Sequence, residues 1–460
     1  MITTRLIRAA GVAALAALAG TATAGELSAD QVARLDNDLT PLGAIRAGNE
    51  AGTIPAWEGG IKSPADAGFP DFKSGGHHPD PFAADQVQYT VNAANMAQYA
   101  DILSEGHKAL LQAYPDTYFM NVYPTRRSAA YPDRIYDAIK RNAPTARLTD
   151  DGNGFTGAIE GIPFPIPENG LEAIWNHIVR WRADEGTRAI GQAPVTREGS
   201  YTLVKFIDNY LGVYGMPGMT EEELDNVIIY FKQRVVSPAR LAGEVLLVHE
   251  TLDQSKEHRR AWIYNPGQRR VRRAPNVAFD NPRTASDGLA TSDQLDLFNG
   301  SPERYNWTLV GRKEILVPYN SYKLHSNQLK YTDILKPLHI NQEHVRYELH
   351  RVWVVDAVLK EGTRHVYKRR TFYIDEDSWQ TLAVDCYDNR DELWRVQEGY
   401  ALNYYDQPNL WTTLETTMDL QSGRYLAISL NNEEPITYDF SVEVTLNDFS
   451  PGSLRRAGTR

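Results

Sequence analysis

The chain has 460 residues, a formal net charge of −11 at pH 7 and 42% hydrophobic residues, enough to bury a large core in one big domain or in two. The acidic balance disfavours general binding to nucleic acid or to anionic lipid surfaces. The single cysteine, Cys386, excludes an intramolecular disulfide. We expect Cys386 to be a buried structural thiol, because no His or Lys neighbours it.

The first 24 residues have the three regions of a secretory signal peptide. Arg5 and Arg8 form the basic region, residues 9–19 the apolar region, and Ala22-Thr23-Ala24 the cleavage motif. The apolar region is shorter than the roughly 20 residues of a membrane span, and no cysteine follows it for lipid attachment. We therefore expect cleavage after Ala24 and a soluble protein of the Gram-negative periplasm.

Residues 25–198 are predicted to form a loop-rich and helical region. Residues 39–81 are dense in Gly, Pro and Asp, as is typical of a long wrapping or functional loop. Helical spacing and capping residues predict helices at Ser28–Leu35, at Asn92–Tyr114 with a break near 104–106, at Asp133–Arg141, and at Gly170–Trp181 with Asn169 as its cap.

From Gly199 to the C terminus the hydrophobic period changes to two, which predicts strands. We expect residues 199–460 to form a large antiparallel sheet, in one compact unit with the preceding region. A hairpin is predicted to turn at Asn265-Pro-Gly267. The predicted strands are 201–206, 227–236, 241–251, 259–265, 305–310, 314–318, 345–359, 365–374, 381–387, 393–404, 411–420 and 425–430.

The strand at 345–359 predicts two different faces. Its apolar face carries Trp353 and Val355, whereas Glu348 and His350 on the opposite face predict a wetter side. A dozen or so strands must curl, because flat open sheets of that size are rare. The helices before Gly199 and a predicted short helix at Ser292–Phe298 are the available lids. Periodicity alone leaves open whether the apolar face encloses a cavity or a filled core.

No motif predicts catalysis, a cofactor or a metal. Gly152-Asn-Gly-Phe-Thr-Gly157 fits the dinucleotide pattern, but no strand precedes it and prolines follow where a helix should begin. His77, His78 and Asp80 could hold a metal, although a solvated loop is the simpler interpretation. Asp385, with Asp388 and Asp391, is interpreted as a turn residue.

Arginine pairs recur along the chain. The usual explanation for such pairs is that they lie on the solvent-exposed face of a sheet, where they pair with the surplus carboxylates. The alternative is a basic hairpin that docks on an acidic partner or a lipid headgroup, and its contact residues would be Arg269, Arg270, Arg272 and Arg273.

The chain also contains several long motifs, at residues 39–49, 53–60, 123–131, 164–177, 239–247, 261–275, 293–322, 339–342 and 351–355. These motifs resemble those of the exported bacterial family called domain of unknown function 1329. The likeness covers nearly all of the predicted mature chain.

The resemblance implies a mainly β fold with helices (α+β), like that of the LolA/LolB lipoprotein carriers. That fold is a curved, incomplete antiparallel barrel with a helical lid and an apolar cavity. The resemblance also implies association with inner-membrane exporters of the resistance-nodulation-division type and with outer-membrane β-barrel proteins. It supplies no catalytic residues.

These observations lead to the hypothesis of a periplasmic carrier for a lipid-like or other hydrophobic molecule. The alternatives are an enzyme that acts on a hydrophobic envelope substrate and a ligand-free adaptor for a transporter or an outer-membrane barrel. A carrier needs a mainly apolar cleft, an enzyme needs converging polar groups, and an adaptor would show a filled core with an exposed patch. The predicted cavity lining is Val245, Leu247, Leu349, Trp353, Val355, Phe372 and Trp394.

Overall fold

The computed structural model describes residues 26–274 and 279–458. The predicted signal peptide lies outside these residues. No helix within them has the length and apolar character that a bilayer span requires. The α-helices are α1 Ala29–Arg34, α2 Glu105–Ala113, α3 Asp133–Asn142, α4 Gly170–Val179, α5 Tyr322–His325, α6 Tyr331–Ile334 and α7 Leu454–Gly458.

The strands of the described residues run the length of the chain and include β5, which the sequence did not predict. They are β1 Tyr89–Val91, β2 Met120–Val122, β3 Arg147–Leu148, β4 Phe155–Thr156, β5 Glu185–Val195, β6 Val204–Leu211, β7 Val227–Ser237, β8 Val245–Thr251, β9 Arg260–Asn265, β10 Arg270–Arg273, β11 Tyr305–Pro318, β12 Tyr347–Leu359, β13 Arg369–Asp375, β14 Thr381–Tyr387, β15 Leu393–Asn403, β16 Leu410–Asp419 and β17 Arg424–Leu430.

All but the short β3–β4 pair join one sheet in the order β1-β2-β12-β13-β14-β15-β16-β17-β5-β6-β7-β8-β9-β10, with β11 also paired to β12. Neighbours are antiparallel except at the single Tyr347–Val122 pairing of β12 with β2. The sheet is curved but not closed, which confirms the predicted fold class. It begins before Gly199, because β1, β2 and β5 belong to it.

The predicted helices form where their caps lie. The Asn169 side chain accepts a hydrogen bond from the Glu172 N–H at 3.0 Å, and Ser104 does the same for His107 at 3.0 Å. The break near 104–106 is confirmed, because a 3-10 helix at Met96–Ile102 precedes α2.

The sheet has two faces that different segments cover. On the outer face, α2 packs over the middle strands, where the Gly106 N–H donates to Asp385 at 3.0 Å. The C-terminal segment 444–458 covers the outer face of β7–β9, where Lys232 donates to the Asp448 carbonyl at 2.8 Å. On the inner face, α4 packs into the core cluster that contains Val355 and Phe372.

Three local predictions are corrected. Ser292–Phe298 is not a helix but a 3-10 turn, because Asp296 has a φ of 56°. The polar face of β12 is not exposed to solvent, since Glu348 is 0% and His350 1% exposed. The Arg126 N–H and the Asn320 amide cover Glu348 and donate hydrogen bonds to it at 2.7 and 2.9 Å. Asp385 lies buried within β14 rather than in a turn.

Candidate ligand cavity

The inner face is open where α4 does not reach it. A first chamber of about 810 Å³, counted out to its mouth, lies between β5–β8 and the turn at Leu295–Leu297. Its walls are mainly apolar and aromatic, and its floor is charged. The lining residues are Val179, Arg180, Trp181, Arg182, Ala183, Arg188, Asp208, Tyr210, Gly212, Tyr214, Gly215, Ile228, Ile229, Phe231, Glu250, Leu295, Asp296, Asn299, Trp411 and Tyr438.

Strand register builds the apolar wall. Gly186, Tyr210, Phe231 and Val248 are direct neighbours across β5, β6, β7 and β8, so their side chains share the inner face. A Cβ atom on Gly186 would lie 2.7 Å from the Tyr210 ring. Because Gly186 has no side chain, the Tyr210 ring can occupy this space.

A second chamber of about 1190 Å³ adjoins the first and shares Phe231, Glu250, Leu295 and Asn299 with it. The segment 279–299 covers this part of the sheet, and the Gln192 amide donates to its Thr284 carbonyl at 2.8 Å. The other residues that line the second chamber are Gln233, Leu246, Val248, Arg259, Ile263, Ala274, Asn281, Pro282, Arg283, Thr284 and Ser292.

Asp296 is the centre of the charged floor. Arg180 and Arg182 both lie 2.5 Å from its Oδ2 atom. Burial alone would raise the pKa of Asp296, but the charges of the two arginines hold it below its usual range. One buried carboxylate therefore pairs with two arginines, and one positive charge is left over.

Two other arginines of the lining, Arg188 and Arg259, are each paired with one carboxylate. Arg188 lies 2.9 Å from Asp208, and the Gln233 amide donates to the same carboxylate at 2.9 Å. Arg259 lies 2.7 Å from Glu250. These paired groups position each other in the floor.

Two predicted lining residues, Val245 and Leu247, lie on the outer face. Their side chains alternate with Leu246 and Val248, which line the second chamber. Both are fully buried in the cluster that contains Phe449 of the C-terminal segment.

The other predicted lining residues also lie outside the two chambers. Trp353 stacks on Trp379 at 5.9 Å, and Phe372 packs on Phe298 at 5.5 Å, both in the filled part of the core. The remaining three are in other packed surroundings: Val355 is fully buried in the same core, Leu349 belongs to a separate cluster, and Trp394 packs on Tyr367.

The predicted basic hairpin is β9–β10, and β10 forms one edge of the sheet. Arg269, Arg270, Arg272 and Arg273 are all exposed. Arg272 lies directly opposite Ile263, which lines the second chamber. The hairpin therefore stands beside the mouth of the cavity.

Histidine–carboxylate groups are buried away from the cavity. Within the described ranges, His350, Asp375 and Asp377 have ligand atoms within 4.8 Å of one another, but His350 bonds Glu348 at 3.0 Å and Asp377 bonds Arg127 at 2.6 Å. His78 of the predicted loop site bonds Asp406 at 2.8 Å instead. The Arg127–Asp377 and His78–Asp406 contacts connect the N-terminal region to the sheet and its turns.

Cys386 is fully buried, and the Gln397 amide lies 3.1 Å from its sulfur. Burial raises the pKa of its thiol to about 12, so the reactive thiolate is strongly disfavoured. This geometry agrees with a structural role.

Sequence reasoning missed Phe231 and the charged floor. One signal was present: Arg180-Trp181-Arg182 directly follows the apolar helix α4. Arginines next to a buried helix need a buried acidic partner, but the partner, Asp296, is more than a hundred positions away and could not be identified from spacing.

Residues 90–455 match the model of a family described as protein of unknown function, DUF1329. An uncharacterized protein of Pseudomonas aeruginosa is 51% identical over 460 residues, which is 100% of both chains. A solved domain of the outer membrane lipoprotein-sorting type from Vibrio parahaemolyticus is 14% identical, covers 62% of this chain and 98% of its own, and has a TM-score of 0.43. A DUF1329 family structure from Desulfovibrio piger is 14% identical, covers 59% and 92%, and has a TM-score of 0.41.

Proposed function

We propose that this chain, which belongs to the DUF1329 family, is a binding protein that carries a lipid-like or other hydrophobic molecule. The observation that carries the proposal is the apolar wall formed by Tyr210 and Phe231 in the first chamber and by Phe231 and Val248 in the second. Ligand pockets are typically concave and mostly apolar, with a few polar groups. The charged groups of the floor favour a carrier over an enzyme, because most of them are engaged with one another.

A fluorescent apolar probe, phenylnaphthylamine, tests the proposal. We expect stoichiometric binding, displacement by long-chain alcohols or fatty acids, and weaker binding by Phe231→Ala, since Phe231 lines both chambers. Trp262→Ala is the matched control: Trp262 is also a half-buried aromatic residue, but it lies on the outer face, with its ring 4.8 Å from His249. Absence of probe binding, or equal effects of the two variants, would contradict the proposal.

We place this function in the periplasm, because residues 1–24 have the regions of a signal peptide. Cell fractionation and the mass of the exported protein test this assignment. The expected mature chain begins at Gly25. An exported protein that retains residues 1–24 would contradict it.

The exposed basic hairpin supports a second proposal, that the carrier docks on an acidic surface of an envelope transporter. Candidate partners are an inner-membrane exporter of the resistance-nodulation-division type and an outer-membrane β-barrel. Arg270→Glu with Arg272→Glu should reduce crosslinking to the partner, whereas Arg364→Glu, an exposed arginine outside the hairpin, should not. A ligand-free adaptor would show this loss together with no probe binding, and an enzyme would release an altered ligand.

A further inference from the structure

The cavity lining is positively charged although the chain is acidic overall. Among the described residues that line the two chambers, five are arginines and three are carboxylates. Asp208 and Glu250 each balance one arginine, and Asp296 balances one of its two. Arg283 forms no ion pair with a carboxylate of residues 26–274 or 279–458, so two arginines of the lining have no lining carboxylate of their own.

Arg283 is held in place but incompletely bonded. Its backbone N–H donates to the Ala290 carbonyl at 3.0 Å, which fixes the residue in the segment that covers the second chamber. Its Nη1 atom is buried and has no hydrogen-bond partner. A buried guanidinium N–H without an acceptor is costly, and an anionic ligand would supply that acceptor.

The buried acid Glu415 acts on Arg283 through its charge but does not bond to it. Glu415 lies in β16 and accepts a hydrogen bond from Thr412 at 2.8 Å, and it forms no ion pair within the described residues. Burial and the charge of Asp296 raise the pKa of Glu415, whereas the charge of Arg283 lowers it. The Nε atom of Arg180, in the first chamber, is also buried without a partner.

We propose that the ligand is an anionic amphiphile whose apolar chain occupies the first chamber and whose carboxylate or phosphate group is bound by Arg283 in the second. The inference rests on the proposed carrier function and narrows its ligand class. Phe231 and Leu295 border both chambers, and in the proposal one molecule extends past them from the first chamber into the second. The exposed Arg272 beside the mouth adds attraction for an incoming anion.

Displacement of phenylnaphthylamine by three ligands with the same chain tests the inference: tetradecanoate, tetradecyl phosphate and tetradecanol. We expect the two anions to bind about tenfold or more tightly than the alcohol, since hydrogen bonds to charged groups are the stronger ones. Arg283→Gln should abolish this preference and leave the affinity for the alcohol unchanged. The tighter of the two anions identifies the preferred head group.

Arg273→Gln is the control, because it removes the same charge from an exposed position opposite Trp262 on the outer face. Arg283→Lys keeps the charge and should retain part of the preference for the anions over the alcohol. This variant shows that a loss of the preference in Arg283→Gln is not caused by a folding defect. If the alcohol binds as tightly as the anions, or the preference survives in Arg283→Gln, the inference is overturned and the carrier function stands. If none of the three displaces the probe, the carrier function itself fails.

Discussion

Truncation of Trp353 to alanine should strongly destabilise the fold. The residue is 7% exposed, its ring stacks on Trp379 at 5.9 Å, and the Arg312 guanidinium lies 3.9 Å from its ring centre. The ring therefore has packed neighbours and does not line either chamber. The cavity lining predicted from the sequence implied the opposite case, in which one side of the Trp353 ring faces a void and its loss lowers the stability only modestly.

The expected magnitude follows from these contacts. A buried tryptophan removes about 150–250 Å² from water, which at about 25 cal/mol per Å² gives about 4–6 kcal/mol. The cation–π contact adds about 1 kcal/mol. The indole Nε1, buried without a hydrogen-bond partner, offsets about 1–3 kcal/mol. Together these contributions give about 2–6 kcal/mol. We expect a loss of about 3–5 kcal/mol in the free energy of unfolding, the usual cost when a buried tryptophan is truncated.

Urea unfolding followed by circular dichroism measures this loss, with the m-value checked for constancy. Trp353→Phe keeps an aromatic ring and removes the unpartnered N–H, so we expect about half the loss or less. Probe binding by the folded Trp353→Ala protein should match that of the wild type. A loss below about 1.5 kcal/mol in the free energy of unfolding would refute the reasoning, because truncation of a tryptophan in a filled core lowers the stability by more than that.

Asp296→Asn should reduce the unfolding free energy by about 3–5 kcal/mol, because it leaves two buried arginines without their carboxylate. Asp287→Asn is its control, since Asp287 also has a positive φ but is exposed, and we expect a loss of about 1 kcal/mol or less. Burial raises the pKa of Asp375 from 3.8 to about 7. The folded state therefore holds a proton that the unfolded state releases, and stability should fall as pH rises through that window; in Asp375→Asn this fall should shrink when melting temperature is measured against pH. Cys386 should react slowly with a thiol reagent in the native protein and rapidly in denaturant, because its thiol is buried.

Contrary outcomes are equally specific. Equal losses in Asp296→Asn and Asp287→Asn would mean that the floor carboxylate is not the partner of Arg180 and Arg182. A pH profile of Asp375→Asn that parallels the wild type would assign the slope to other groups, with Asp385 the first candidate, because burial raises its pKa to about 6. Rapid native labelling of Cys386, with loss of probe binding, would place the thiol in a working site.

Local features were predictable because their physical causes are local. The strand at Thr381–Tyr387 matches its prediction residue for residue, and α4 begins next to the predicted cap Asn169. The predicted strands at 305–310 and 314–318 are one strand, because the backbone continues through a bulge near Gly311. β5 was missed because nearly all of its residues are buried, so the alternation of polar and apolar residues that marks a half-buried strand is absent.

The sequence by itself determined that the chain forms a large curved antiparallel sheet with capped helices and one buried thiol, since period, capping and composition act over a few residues. Only the tertiary structure decided which part of the inner face is filled. The side chains of Trp353 and Phe231 both lie on the inner face of the sheet. The helix α4 packs over the part of that face around Trp353 and leaves the part around Phe231 open.

The tertiary structure also decided which charges are buried. Glu348 and His350 predict a wet face, yet the N-terminal region covers them, and Arg127 pairs with Asp377 across 250 positions of sequence. A buried charge is tolerated only when a partner reaches it. In this protein the partner comes from a distant part of the sequence and reaches the charge only when the chain folds. Residue spacing could therefore locate neither the covered face of β12 nor the charged floor of the cavity.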